Sequence, residues 1–229
     1  MQKLIIKGKR ELSGTISVSG SKNATLPILA ASLLAKNIKL TNVPVVKDII
    51  TMLELLKFIG VDSKLENKKK SISLKNNQKK INTLAPYKLV KTMRAGVLVL
   101  GPLLTKYKKA KVSLPGGCAI GTRPVDLHLF ALKKLGAKIR IKDGYIFAEA
   151  KRGLKGTKIK FPSISVGATE NAILAASHAK GKTTLTNCAL EPEVKELVLF
   201  LKKLGIKIKT SGRKIIVEGK KFVNTKVNH

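Results

Sequence analysis

The chain has 229 residues, 44% of them hydrophobic, enough for one large or two small domains with a true core. Its formal net charge of +33 suggests nucleic-acid binding, but only six of the 46 basic residues are arginine and only 4% of residues are aromatic, so scattered lysine reads as a solvated surface and a basic nucleic-acid binder is the minor alternative. The longest apolar run, Leu26 to Ala35, is too short to span a bilayer, no secretory pattern opens the chain, and two cysteines 70 positions apart do not suggest a disulfide framework; a cytoplasmic protein without a membrane span is expected.

In chain order, "SVSGSKNATLP" (Ser17 to Pro27) predicts a strand ending at Gly20, then Lys22, then Asn23 as the cap of an apolar helix rich in small residues. A short strand "IKLTNVP" follows, then the helix "MLELLKFIG" ending at Gly60, then two strands within "VDSKLENKKKSISL". The order repeats. "MRAGVLVLGPLL" begins at Arg94 the second small-residue helix, "AKVSLPG" is its strand, and "LFALKKLG" ends the second amphipathic helix at Gly136, with Val125, Leu129, Leu132 and Leu135 on one face after Pro124. The hairpin "AKIRIKDGYIFAEA" turns at Asp143-Gly144. The third copy comprises "SISVGATENA" opening the helix "ATENAILAASHA", the strand "TTLTNCA", the helix "LVLFLKKLG" from Pro192 to Gly205, and a hairpin turning at Ser211-Gly212.

The unit is therefore close to βαβαββ, and the helix-ending glycines recur at intervals of 76 and 69 residues. Each unit leaves an apolar sheet face and an apolar helix face for its neighbours to cover, so the three are expected to pack as one α/β domain with the small-residue helices inside. If rotation relates them, the starts of those helices share one face, where Lys22, Asn23, Arg94 and the run from Ser163 would form a surface for an anionic small molecule.

Between strand and helix the second copy is four residues longer than the others, and the excess falls in "SLPGGCAIGTRPVDLH". A loop marked by Gly116, Gly117 and Gly121 there presents Cys118 close to Arg123, a pairing that suits anion binding beside a reactive thiol. A loop cysteine without a role is the alternative. Cys188, near a strand end, reads as a small packing residue. His128, His178 and His229 have no partners at metal-ligand spacing, and no Walker or dinucleotide glycine motif occurs, so neither metal nor cofactor is expected.

Together, "SGSKNATLPIL", "APYKLVKTMRA", "SLPGGCAIGTRPVDLHL", "SVGAT" and "EPEVKEL" resemble the N-terminal part of the UDP-N-acetylglucosamine 1-carboxyvinyltransferases, a branch of the enolpyruvyl transferases. The resemblance implies an inside-out α/β barrel of two domains, each of three βαβαββ-type repeats, with substrate in the cleft between them. It implies transfer of the enolpyruvyl group from phosphoenolpyruvate to the 3-hydroxyl of UDP-N-acetylglucosamine, a step of peptidoglycan synthesis, with phosphoenolpyruvate a co-substrate rather than a cofactor. By likeness Cys118 is the proton donor, able to form a covalent adduct and open to alkylation by fosfomycin. Lys22, Asn23 and Arg123 match the phosphoenolpyruvate site. Asn23, Arg94, Arg123, Pro124, Val125, Asp126, Leu127, Ser163, Ile164, Ser165 and Val166 match the nucleotide-sugar site.

Two departures stand out. Ser163 replaces a lysine frequent in bacterial relatives, and the sequence stops near where the family's second domain begins. The expected organisation is an N-terminal strand segment, residues 1–21, that normally belongs with the second domain, and a three-repeat domain over 22–229. Activity then depends on a complementary C-terminal half; the alternative is a non-catalytic remnant that binds the nucleotide sugar.

Overall fold

The computed structural model describes residues 3–9, 11–66, 68, 70–77, 81–116, 125–220 and 226–229. The first unit runs α1 (Lys22–Ala31), a 3₁₀ turn (Ser32–Leu34), β1 (Asn37–Leu40), α2 (Lys47–Ile59), β2 (Val61–Glu66) and β3 (Ser71–Asn76). The second has β4 (Leu84–Ala85), α3 (Tyr87–Val90), a 3₁₀ stretch (Arg94–Val99) leading into α4 (Leu100–Tyr107), β5 (Lys109–Ser113), α5 (Asp126–Lys134), β6 (Lys138–Lys142) and β7 (Tyr145–Glu149). The third has β8 (Lys158–Lys160), α6 (Val166–Ala176), β9 (Lys182–Thr186), α7 (Pro192–Lys203), β10 (Lys207–Ser211) and β11 (Lys214–Glu218), and β12 (Lys226–Asn228) follows.

Each unit builds a four-stranded sheet with the same plan. The orders are β4-β5-β7-β6, β8-β9-β11-β10 and β12-β1-β3-β2; the first pair is parallel in every case and the others antiparallel. The last strand therefore fills, in the first unit's sheet, the place that β4 and β8 fill in theirs, with Ile38 opposite Val227. The strand expected to end at Gly20 does not form, and residues 3–9 likewise carry no strand. A lone strand has no partner for its backbone groups, and Leu4, Ile5, Ile6, Leu12, Ile16 and Val18 are all exposed.

The helix stops agree with the sequence reading. Gly60, Gly136 and Gly205 have φ of +117°, +96° and +82°, the left-handed backbone at which glycine lacks the steric penalty of a Cβ. Lys142 pairs with Tyr145 across the Asp143-Gly144 turn, but Ser211 pairs with Lys214, so the second turn is Gly212-Arg213, one residue later than expected. Strand pairing that extends through Ser211 outcompetes the local preference of serine for turns.

The small-residue helices lie at the centre. Thr25 through Ala31 of α1 are all buried, as are Ala168 through Ala176 of α6. Such helices have no solvated face and pack closely because their side chains are short. At the closest approach of α4 to α6 a Cβ on Gly101 would stand 2.4 Å from Asn171 Oδ1 and 2.7 Å from its carbonyl oxygen, so only glycine fits. The amphipathic helices cover the outside, burying Val194, Leu197, Leu201 and Leu204 in and just after α7, and Leu129, Leu132 and Leu135 in and just after α5.

Candidate functional site

The N-terminal ends of α1, the 94–107 helical stretch and α6 converge on a cleft of about 340 Å³, joined by His128 of α5 and Glu193 of α7. The shared face expected from three rotated units is present. Asn23, Arg94, Ser165 and Val166 line it.

Two of these helix starts are capped by a serine side chain. Ser165 Oγ accepts the Ala168 N–H at 3.3 Å, which caps α6 and leaves the N–H groups of Val166 and Gly167 without intrahelical acceptors. Ser21, rather than Asn23, caps α1, its Oγ accepting the Ala24 N–H at 3.3 Å. Asn23 instead lies in the first turn. Pro27, with no N–H to give to the carbonyl four residues back, removes the usual intrahelical partner of the Asn23 carbonyl, and both residues line the cleft.

One buried amide organises the cleft floor. Asn171 Oδ1 accepts the Gly101 N–H at 2.8 Å while its Nδ2 donates to the Val97 carbonyl and to His128 Nδ1, both at 3.1 Å. The two backbone partners fix which end of the amide is the donor, so His128 Nδ1 must accept and the ring proton sits on Nε2. Burial, then the positive charge of Arg94, pushes the His128 pKa down to about 4, against a smaller opposing effect of Asp126; the ring is neutral at physiological pH.

Glu170 stands one turn into α6. It is 4% exposed, and its Oε1 is buried with no hydrogen-bond partner among the described residues. Burial and then the neighbouring carboxylates Glu193 and Glu191 push its pKa up to about 8, so this acid is mainly protonated at neutral pH.

Lys22 is not part of the lining; its Nζ pairs with Asp48 at 2.9 Å, joining the starts of α1 and α2. Asp126 and Leu127 form the first turn of α5, Asp126 exposed and Leu127 half-buried, with Val125 buried as the residue before it. Ser163 and Ile164 are exposed just ahead of α6. Cys118, Arg123 and Pro124, with Gly117 and Gly121, lie outside the described residues. The described ends of their loop are placed: a Cβ on Gly116 would meet the Lys91 carbonyl oxygen at 2.6 Å, and Val125 leads into the helix that carries His128. Residues 114–125 separate β5 from α5, against 41–46 and 187–191 in the sister units, so the elaboration exceeds four residues because α5 also begins later. Cys188 is fully buried, and its thiol is pushed up to about 11 by burial, consistent with a packing role.

The sequence reading missed His128, Glu170 and Glu193. For Glu170 there was a signal: a lone carboxyl within an otherwise apolar, small-residue helix. His128 follows directly on the run that ends at Leu127. Among the described residues no group of three or more histidine, cysteine, aspartate or glutamate side chains is placed to hold a metal ion, and no helix is long and apolar enough to cross a membrane.

The chain is 61% identical over 221 residues to the UDP-N-acetylglucosamine 1-carboxyvinyltransferase of Pelagibacter ubique (strain HTCC1062), covering 96% of this chain and 52% of that one. It is 52% identical over 226 residues to the protein of that name in Rickettsia felis (strain ATCC VR-1525 / URRWXCal2), covering 98% and 54%. The chain thus spans about half the length of the curated relatives it matches. Among solved structures, the enolpyruvyl transferase NikO from Streptomyces tendae superposes with a TM-score of 0.82 at 21% identity, covering 97% of this chain and 52% of that one. An EPSP synthase from Acinetobacter baumannii gives 0.74 at 20%, covering 94% and 49%. These two establish the fold, the inside-out α/β architecture of enolpyruvyl transferases. The sequence model of one family matches residues 6–229, nearly the whole length, and on that match the chain belongs to the EPSP synthase (3-phosphoshikimate 1-carboxyvinyltransferase) family.

Proposed function

We propose that this chain is the nucleotide-sugar-binding half of an enzyme that transfers the enolpyruvyl group of phosphoenolpyruvate to UDP-N-acetylglucosamine, in the cytoplasm and in service of peptidoglycan synthesis. The observation that carries this reading is the 61% identity to a relative of that name across 96% of the chain. The cleft supports it: Arg94 and the N-terminal end of α6 line it, and both suit a diphosphate.

In the proposed reaction a proton is added to the methylene carbon of phosphoenolpyruvate while the sugar 3-hydroxyl attacks the adjacent carbon and loses its own proton. The tetrahedral adduct then breaks its carbon–phosphate oxygen bond and returns a methyl proton, releasing phosphate and the enol ether. Cys118 is the proton donor in this scheme, since a thiol both exchanges a proton near neutral pH and acts as a nucleophile. Lys22, Asn23 and Arg123 hold phosphoenolpyruvate, Lys22 after release from Asp48. Arg94, the run Arg123 to Leu127 and the run Ser163 to Val166 hold the nucleotide sugar. The group that deprotonates the sugar hydroxyl comes from a complementary C-terminal half, and no metal or organic cofactor enters.

Two measurements test this. Calorimetry of the 229-residue chain with UDP-N-acetylglucosamine is expected to show binding, and phosphate release from the two substrates is expected only after the C-terminal half of the Pelagibacter relative is added. Binding without release in the mixture would favour the non-catalytic reading. An absence of heat at millimolar ligand would overturn both.

A further inference from the structure

A buried oxygen without a partner is costly, and the cost is tolerated where something else supplies the hydrogen bond. Glu170 is such a case. Glu170 lines the cleft, its buried Oε1 has no partner among the described residues, and Gly167, one turn earlier on the same side of α6, lies against the His128 ring, where a Cβ would come within 3.1 Å of Cε1. The same wall therefore places, within one helical turn, the N–H groups at the α6 start that have no intrahelical acceptor, the His128 ring with its proton on Nε2, and Glu170. We propose that Glu170 is a ligand-contacting residue of this cleft, its carboxyl offering one donor and one acceptor to a hydroxyl or amide on an anionic ligand whose phosphate is held by Arg94 and the α6 N terminus.

Charges around it define when this works. Glu193 and Glu191 from the start of α7 act on Glu170, Arg94 of the second unit and His128 of α5 line the same cleft, with Asp126 acting on His128, and Lys22 at the start of α1 is engaged by Asp48. As a neutral acid Glu170 both donates and accepts. Once ionised it can only accept, and it adds a negative charge between Glu193 and an anionic ligand. Affinity should therefore fall as Glu170 loses its proton, whereas His128, neutral down to about pH 4, contributes no change in that range.

The inference rests on the proposed nucleotide-sugar reading, and calorimetry with UDP-N-acetylglucosamine from pH 6.5 to 9 separates the two. Native chain is expected to bind progressively more weakly above pH 8. Glu170→Gln, which keeps a donor and an acceptor but cannot ionise, is expected to bind as the native chain does at pH 6.5 and to lose most of that pH dependence. Glu170→Leu should weaken binding about tenfold at pH 6.5, the scale of one or two lost hydrogen bonds, with circular dichroism confirming its fold. A merely structural glutamate leaves the pH profile alike in all three proteins, and that result, or native affinity in Glu170→Leu, overturns the inference while leaving the proposed function standing. No binding by the native chain at any pH overturns both.

Discussion

The two ends of the central helices are finished in opposite ways. At the far end the protein closes its own carbonyls: Asn76 Nδ2 donates to the Ser32 and Leu33 carbonyls at 3.3 and 2.9 Å, Lys106 Nζ donates to the Leu33 carbonyl at 2.8 Å, and the Lys220 N–H donates to the Ser177 carbonyl at 3.0 Å. At the cleft end, among the described residues, a single serine side chain caps each of α1 and α6, and Arg94 lines the cleft beside them. The helix dipoles thus meet cationic and amide donors where the fold must be held, and are left available for an anion where a ligand is to be held. The difference marks which end is structural.

The largest expected effect breaks the contrast inside the cleft. Glu170 ordinarily titrates near 4.5 when unfolded and at about 8 in the fold, so the folded state binds more protons between those values and stability is lost as pH rises through that window. Glu170→Gln removes this loss. Its stability relative to the native chain, measured by urea unfolding, should climb between pH 5 and pH 8 by on the order of a few kcal/mol and then level off. A constant difference would show that the carboxyl is already ionised at low pH.

Asn171→Leu is next. It strands the Gly101 N–H and the Val97 carbonyl and frees the His128 ring, a cost of roughly 3 kcal/mol for two buried polar groups. Urea unfolding at pH 7 measures it. Little change would mean that water reaches the cleft floor and replaces the amide.

At the closed end, burial holds the Lys106 pKa near 8 rather than 10.5, so between those values the unfolded chain carries more protons and the native chain gains stability as pH rises. Lys106→Met should cost about 1.5 kcal/mol at pH 8, from the lost charged hydrogen bond to the Leu33 carbonyl, and the cost should grow toward pH 10. Thermal unfolding across that range checks the direction.

How much of this contrast was legible in the sequence depends on its physical range. Period and glycine placement are local, and the units, the helix ends and the convergence of Asn23, Arg94 and Ser165 on one face followed from them. Pairing between distant segments is not local. Nothing in "KVN" near the end announces that it becomes the partner of β1, because three residues carry no periodicity and their place is decided by an empty sheet edge far away in sequence. The roles of Glu170 and His128 were hidden for the same reason: each is defined by a neighbour distant in sequence, Glu193 on the next helix of its own unit and Asn171 from another unit, that only packing brings near. Even the cap of α1 shifted from Asn23 to Ser21, since either side chain is chemically suitable and backbone geometry chose between them.

The smallest effect tests whether the cleft end is held as lightly as it looks. Ser165→Ala removes the α6 cap, whose acceptor satisfies one N–H, and a loss of about 1 kcal/mol is typical of such caps. Ser21→Ala does the same at α1, where Thr25 Oγ1 still donates to the Ser21 carbonyl at 2.8 Å and keeps that turn in place, so its cost should be smaller. If the cleft end is reserved for ligand, UDP-N-acetylglucosamine should offset more of the Ser165→Ala loss than of the Lys106→Met loss, because an anion at the α6 start takes over the N–H that the serine released. Equal thermal shifts on adding ligand to the two variants would place the binding energy away from the α6 N terminus and remove the distinction between the two ends.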